Sequence, residues 1–459
     1  MLSTGRLLYL NFRFLHTTSK WLRHRFSSAG FLLLSGLVAS GVFGIDARAS
    51  LAYQIFSICL SILIIAILSS LMFRGNFSFR RQLPEYGTVT FPLNYKVTIN
   101  NLNKSPHRDL TYVDELSYKF PSYELFKSTR DPEDARRNWV DRKIGYPRLM
   151  SLLQKSRGGS LSWIDIDLIP AEDEIEATMN FVPLRRGYLY FSKSSIARPD
   201  PFGLFRAIIS KNNPEKILIL PKTYQVPQIR LKGHRKYQQG GINQASFIGD
   251  SQEFMSLRDY QPGDPMRSIH WRSYAKRSEP VVKEFRDKFF VRQGLILDTF
   301  IEDKSAYQFE EAVSMAASFA TTVEDQDSLL DLMFVGTKSY RFTSGRSFDN
   351  AANMLELLAC VTPCYDKDFV QLVELTGKHI SELSGMIIIL LDWDDKRQEM
   401  VKNFISSKIP VIVFVIQDTK TQQTLLPGPL QLTPESLIPL TVDNIQGALD
   451  KINWSDSIQ

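Results

Sequence analysis

The chain has 459 residues, too many for one ordinary hydrophobic core, so two or three domains are expected. A hydrophobic fraction of 44% with 23% charged residues excludes a mainly disordered protein, and three cysteines exclude a disulfide framework. The net charge of +6 does not argue for nucleic acid, because much of the excess flanks apolar runs near the N-terminus and no clustered, unopposed basic face appears elsewhere.

Residues 1–25 carry Arg6, Arg13, Lys20, Arg23 and Arg25 with no acidic residue, interleaved with Leu, Tyr, Phe and Trp. The charge bias reads first as a topology signal; an amphipathic helix lying on anionic lipid is the sharper alternative. Two stretches without ionised side chains follow, Phe26–Ile45 and Ala49–Phe73, each long enough to cross a hydrocarbon core of about 30 Å as a helix. Only Asp46, Ala47 and Arg48 separate them, which predicts a two-helix transmembrane hairpin over 26–73. Basic residues at both open ends, with Arg74, Arg80 and Arg81 after the second stretch, place both termini in the cytoplasm of a bacterial inner membrane type of arrangement. Ala47-Arg48-Ala49 has the form of a signal-peptide cleavage site, but the n-region is long and a second span would begin at once. Gly36, Ser40 and Gly44, and Ser57 and Ser61, recur every four residues; such spacing permits close helix approach within the hairpin or, in a homo-oligomer, between two copies.

From Thr88 short alternating segments predict antiparallel strands: Thr88–Phe91, Tyr95–Ile99, Leu161–Leu168, Ala177–Phe181 and Gly187–Phe191. They suit a β-sandwich domain over 74–216, interrupted near 113–159 by a charged helical insertion with a helix start at Asp131-Pro132-Glu133. After Asp200-Pro201-Phe202-Gly203 comes a strand, Lys216–Pro221. The basic, glycine-containing run Arg230–Gly249 reads as a linker or loop within a 217–290 region that also holds the string Leu257-Arg-Asp-Tyr-Gln-Pro-Gly-Asp264.

In that string Pro262-Gly263 suits a type II turn. Asp264 and Pro265 suit the N-cap and first position of a short helix. Helical spacing would place Asp264, Arg267, Trp271 and Tyr274 on a packed side, and Ile269, Arg272 and Lys276 on a charged one. Arg258, Asp264 and Arg267 form either an internal charge-assisted network or a docking surface. The first reading is preferred for Arg258, Asp264 and Trp271, the second for Arg272 and Lys276.

From residue 291 to 459 nearly continuous apolar strands (Gly294–Asp298, Leu329–Val335, Met386–Asp392, Val411–Ile416) alternate with helices (Ser305–Val323, Asp349–Cys360, Lys396–Ser407). That pattern predicts a doubly wound α/β domain with a parallel sheet covered on both faces.

The ordered string Leu-Arg-Asp-Tyr-x-Pro-Gly-Asp-x-x-Arg-x-Ile-x-Trp, followed by Val281-Val-Lys-Glu-Phe285, resembles the signature of the domain of unknown function 58 family. So does Arg186-Gly187-Tyr188 leading to Asp200-Pro-Phe-Gly-Leu-Phe205. The resemblance covers most of residues 26–300 and, more loosely, the remainder. It implies signature residues Arg258, Tyr260, Gly263, Asp264, Arg267, Trp271, Arg272 and Lys276, a von Willebrand factor type A-like C-terminal domain, and association with a MoxR-type AAA+ ATPase. It implies no established activity.

In metal-binding type A domains the first strand ends on an Asp-x-Ser-x-Ser string; here the residues are Asp298-Thr-Phe-Ile-Glu302, and Phe300 has no ligating atom. Asp298, Glu302 and Asp392 are the carboxylates left near the strand ends, too few oxygens for a tight Mg²⁺ or Ca²⁺ cage, so no metal or other cofactor is expected. No phosphate loop, Gly-x-Ser-x-Gly elbow or Cys/His pairing occurs, and His270 beside Trp271 reads as a packed side chain. The expectation is therefore a membrane-anchored α+β multidomain protein: a non-catalytic adaptor or scaffold with lipid and a cytoplasmic protein as partners, and no nucleic acid. The alternative is a metal-dependent hydrolase or other enzyme using Asp298 and Asp392.

Overall fold

The structure, a computed structural model, describes residues 4–43, 50–128, 138, 139, 141, 145–226, 252–264, 266–277, 279–287, 291–301, 306–322, 328–344, 348–418 and 425–452. The chain divides into two compact units, Met1–Lys222 and Thr223–Gln459.

The first unit begins with three helices, α1 (Thr4–Arg25), α2 (Ser28–Phe43) and α3 (Ser50–Leu71). At 1.5 Å per residue α3 is about 33 Å long and α2 about 24 Å. Among the described residues only Leu51–Leu71 is a helix long and apolar enough to cross a membrane; α2 begins at Ser28 and not at Phe26, because the chain breaks at Phe26–Ser27 to bond elsewhere, and its described residues run to Phe43. The Asp46–Arg48 turn and Gly44 lie outside the described residues. Close approach of α2 to α3 comes at Gly41, where an added Cβ would meet the Phe56 ring at 3.4 Å, while Gly36 faces open space.

Strands β1 (Phe77–Gln82), β2 (Tyr86–Thr88), β3 (Leu93–Asn101) and β4 (His107–Ser117) precede helices α4 (Tyr123–Ser128) and α5 (Tyr146–Arg157). Then come β5 (Gly159–Leu161), β6 (Ile164–Ile169), β7 (Glu174–Pro183), β8 (Gly187–Pro199) and β9 (Arg206–Leu220). They form a four-stranded sheet ordered β1-β3-β7-β5 and a five-stranded sheet ordered β2-β9-β8-β4-β6. In β3 alternate residues Leu93, Tyr95, Val97 and Ile99 are buried, and they meet Tyr112, Leu189, Phe191 and Ile217 of the other sheet in one core. Four expectations need correction. Thr88–Phe91 is not a strand, since β2 ends at Thr88 and the chain turns at Val89–Thr90, where Thr90 has φ +67°. Leu161–Leu168 is two strands, broken at Ser162–Trp163. Val113–Ser117 belongs to β4 and not to a helical insertion. The strand expected at Lys216 starts at Arg206. Asp131-Pro132-Glu133 lies outside the described residues.

Arg81 also departs from its reading as a topology flank. Its side chain is fully buried, donating to Asp114 Oδ1 at 2.7 Å and to Ser194 Oγ at 2.9 Å, while Tyr95 and Tyr112 donate to the same carboxylate. Arg74 and Arg80 remain exposed.

In the second unit β10 (Gln252–Asp259) pairs antiparallel with β11 (Val281–Asp287), and α6 (Trp271–Arg277) lies between them in sequence. The larger part follows as β12 (Val291–Leu297), α7 (Ala306–Thr322), β13 (Ser328–Val335), β14 (Ser339–Ser344), α8 (Phe348–Cys360), α9 (Val370–His379), β15 (Gly385–Leu390), α10 (Asp395–Ser406), β16 (Val411–Gln417), β17 (Leu437–Thr441) and α11 (Ile445–Leu449). The six strands form one sheet ordered β14-β13-β12-β15-β16-β17, parallel except for the edge strand β14.

The continuous apolar strands are explained by burial on both faces. Leu295 and Leu297 pack with Phe309, Val313 and Met354 on one side, whereas Ile296 packs with Leu372, Met400 and Phe404 on the other. The Arg230–Gly249 run lies outside the described residues.

Candidate functional site

The signature segment is built around its turn. Gln261-Pro-Gly-Asp264 closes with the Asp264 N–H donating to Gln261 O at 3.0 Å, and Gly263 has φ +113°, a value that disfavours any residue with a Cβ. Asp264 does not cap a helix. Its carboxylate turns back to accept both arms of the Arg258 guanidinium, at 2.8 and 2.7 Å, and the Gln261 N–H at 2.9 Å. The hydrogen bonds from Arg258, and then that from Gln261, hold the Asp264 carboxyl below the usual carboxylate range. A bidentate Arg–carboxylate pair fixes both distance and plane, so the turn is clamped to the end of β10.

The helix is delayed relative to expectation. Met266–Ser268 is a single 3-10 turn, Ile269 bridges to Val282, and the His270 N–H donates to Val281 O at 2.8 Å, so the chain pairs with β11 before α6 starts at Trp271. That pairing buries Ile269, which the helical spacing had put on the charged side, and turns the expected packed side outward. Trp271 is 58% exposed, Tyr274 40% and Met266 70%, with Trp271 and Tyr274 in edge-to-face contact at 6.1 Å. Arg272 and Lys276 are exposed on the same helix. Tyr260 donates its N–H to Pro280 O, and His270 Nδ1 shares a 2.6 Å hydrogen bond with Ser273 Oγ. The Arg267 side chain and Pro265 lie outside the described residues.

The second place to look is the sheet's switch point, the crevice beyond the carboxyl ends of β12 and β15 where the strand order reverses. Asp298 stands there, fully buried. Its carboxylate accepts Arg397 Nε at 2.7 Å, the Phe300 N–H at 2.9 Å and the Leu391 N–H at 3.2 Å. Arg397 comes from the first turn of α10; it also donates to Asp394 at 2.8 Å, and Asp394 caps that helix by accepting the Arg397 N–H. Burial pushes the Asp298 carboxyl up, against the pull of Arg397 and the two backbone N–H groups. The Arg397 guanidinium is thus the cation paired with the buried carboxylate. Asp392 is exposed and accepts its neighbour Trp393's N–H, and Glu302 lies outside the described residues. No group of three or more His, Cys, Asp or Glu side chains suited to a metal ion occurs among the described residues.

The upstream string Asp200–Phe205 forms a separate joint within the first unit. Asp200, buried, accepts the N–H groups of Leu204 at 2.6 Å, Phe205 at 2.7 Å and Phe202 at 3.0 Å. The loop so tightened presents Leu204 and Phe205 to Phe26, Leu33, Leu34, Ile62, Leu63 and Ala66 of the helices. The Ser27 N–H donates to Leu204 O at 3.0 Å, and a Cβ at Gly30 would collide with that carbonyl.

The family model described as "Protein of unknown function DUF58" matches residues 256–446, a span that holds both the clamped turn and the Asp298–Arg397 pair. The chain is 27% identical over 176 residues to the uncharacterized protein YeaD of Bacillus subtilis (strain 168), covering 38% of this chain and 42% of that one. It therefore spans less than half the length of that relative. Among solved structures, the CARDB domain of a Pyrococcus furiosus protein in complex with di-metal ions aligns at 10% identity over 32% of this chain and 93% of its own, with a TM-score of 0.17. A β-glucosidase from Listeria innocua aligns at 10% identity over 32% of this chain and 16% of its own, also at 0.17. Scores this low bear on neither fold nor function.

Proposed function

We propose that this protein is a membrane-anchored, non-catalytic adaptor whose cytoplasmic region docks another protein through the signature helix α6. The observation that carries the reading is the outward display of Trp271, Tyr274 and Met266 beside Arg272 and Lys276, on a segment whose approach is locked by Arg258 and Asp264. Aromatic and arginine side chains on a preorganised element are what protein interfaces use as anchors. The partner class proposed is a cytoplasmic MoxR-type AAA+ ATPase.

The anchor is proposed as a two-span hairpin of α2 and α3 with both termini in the cytoplasm, supported by the length and apolarity of α3, its pairing with α2, and the basic residues of α1. The C-terminal domain is proposed to be von Willebrand factor type A-like. Its sheet supports this by running, in order of appearance, 3-2-1-4-5-6 with helices on both faces. A hydrolase built on Asp298 and Asp392 draws no support from the site, since Asp298 is sealed by Arg397.

The test is purification of the tagged full chain from membranes in mild detergent, with identification of what accompanies it. The wild type should bring down an AAA+ ATPase, and Trp271→Ala/Tyr274→Ala should lose it while circular dichroism and melting stay unchanged. Equal recovery with the double variant sinks the docking assignment.

A further inference from the structure

The proposed adaptor reading uses α1 only for the sign of its charge, and the helix surface has two unlike sides. Tyr9, Phe12 and His16 lie on one face, buried against Leu149, Leu153 and the rings of Tyr118, Phe120, Tyr123 and Phe126. That contact suffices to dock the helix on the α4–α5 region. At 100° per residue the opposite face is formed by Leu10, Phe14 and Trp21, and these are 45%, 68% and 54% exposed. Three large apolar side chains aligned over three turns are not the solvated back of a surface helix.

One flank of this stripe is basic and the other apolar. Arg6 and Arg13 border it on one side and the exposed Leu8 and Leu15 lie beyond the other, while Arg25, at its end, lies over the Trp21 and Phe205 rings at 5.6 Å each; the helix holds no acidic residue. Lys20 instead turns inward, 3.6 Å from Glu115. The stripe also leads into the anchor. Leu22, the residue after Trp21, packs with Phe26 and with Leu33, Ile62 and Leu63 of α2 and α3. A protein partner would have to accommodate this strip right up to the emerging helices, whereas an anionic bilayer surface supplies apolar depth for the rings and phosphates for the guanidiniums at once.

We propose that α1 lies in the interface of an anionic membrane, with Leu10, Phe14 and Trp21 among the lipid chains and Arg6, Arg13 and Arg25 at the headgroups. It would thereby hold the base of the first unit against the bilayer. The inference rests on the anchor reading, and the experiment separates the two.

The full chain is reconstituted into vesicles containing phosphatidylglycerol, with acyl-brominated phosphatidylcholine as the quencher. Trp21 is read as the difference between wild type and Trp21→Phe, and Phe14→Trp in the Trp21→Phe background supplies a second probe on the same stripe. Ile64→Trp, on the exposed side of α3, reports the anchor itself. Strong quenching at positions 14, 21 and 64 is expected, and Arg6→Gln/Arg13→Gln should lower the inserted-to-free ratio of α1 by about fivefold per charge removed. Quenching at 64 without quenching at 14 and 21 overturns this inference and leaves the anchor standing; that is also the pattern if a second copy covers the stripe. No quenching at 64 removes the anchor and the inference together. Equal quenching in vesicles of phosphatidylcholine alone overturns the assignment of the arginines to anionic headgroups.

Discussion

Replacing Arg397 by methionine is the sharpest test of how the switch point is built. The substitution keeps an unbranched stem against Phe369, over which the guanidinium lies at 4.8 Å, but strands the fully buried Asp298 carboxylate without its cation. Breaking a buried pair from one side costs about 3–5 kcal/mol. Here the Phe300 and Leu391 N–H groups remain on the carboxylate, which puts the loss near the low end, about 3 kcal/mol. In a unit of this size that lowers the melting midpoint by about 6–12 °C. The chain has two units, so the assay should be local: native hydrogen exchange at the amides of β12 and β15 in the full-length variant.

The deficit has a pH signature. Asp298 is pushed up in the folded state, so its contribution is fully present below the unfolded carboxyl value, about 3.9, and is lost as pH rises through the folded value. Without Arg397 the folded value rises further. The gap to wild type should therefore be widest at neutral pH and narrow as pH falls toward the ordinary carboxylate range, and Arg397→Met/Asp298→Asn should recover most of it. A loss under about 1 kcal/mol that is flat with pH would mean that water or a cation reaches Asp298, and the sealed-site reasoning would fail.

Asp264→Ala removes the carboxylate that Arg258 and the Gln261 N–H share, so exchange at Gln261 should quicken and the turn loosen, with the β12–β17 sheet unaffected; unchanged protection at Gln261 would show that the clamp does not hold the turn. The same clamp has its folded carboxyl value lowered, so its contribution is present above the unfolded value and is lost as pH falls through the folded one; NMR of the Arg258 side chain across the acid range reads this directly. Calorimetry of the purified full chain with Mg²⁺, Mn²⁺ and Ca²⁺ should give no tight binding, and micromolar binding abolished by Asp298→Ala would reverse the assignment of Arg397 as the paired cation. Reporter fusions at the N-terminus and after Arg81 should both read cytoplasmic, and a periplasmic signal from either rules out the hairpin.

How legible each part was depends on whether its cause is local. The strand expected at Gly294–Asp298 is β12, Val291–Leu297, and the helix expected at Ser305–Val323 is α7, Ala306–Thr322, because continuous apolar runs and 3.6-residue periodicity are written in neighbouring residues. The edge strand Ser339–Ser344 was missed since its residues are only half-buried and carry no apolar run. Val113–Ser117 looked helical and solvated on account of Asp114 and Glu115. Asp114 is buried only because Arg81 and Ser194 reach it from 33 and 80 residues away, a separation that no window reads. Arg397 is 99 residues from Asp298. Its one local trace is the Asp394-x-x-Arg397 spacing, which brings an N-cap carboxylate and an arginine to the same helix turn.

The two strings that carry the family resemblance turn out to contain much scaffolding, and that narrows where function should be sought. In both, an aspartate closes a Pro- and Gly-containing turn by accepting backbone N–H groups: Asp200 from Phe202, Leu204 and Phe205, and Asp264 from Gln261 with Arg258 added. Gly263 supplies the positive φ, and Ile269 joins the segment to β11. In the first string the residues left over are accounted for, since Leu204 and Phe205 pack against the helices. In the second, Met266, Trp271, Arg272, Tyr274 and Lys276 have no comparable burial within the fold. A tryptophan held outward by a turn that has an arginine, a glycine and an aspartate dedicated to its shape is not explained by stability, because a polar residue there would fold as well. It is explained if the turn exists to aim the helix at a partner, and this is why the substitutions that matter most for binding should be those that leave the melting curve untouched.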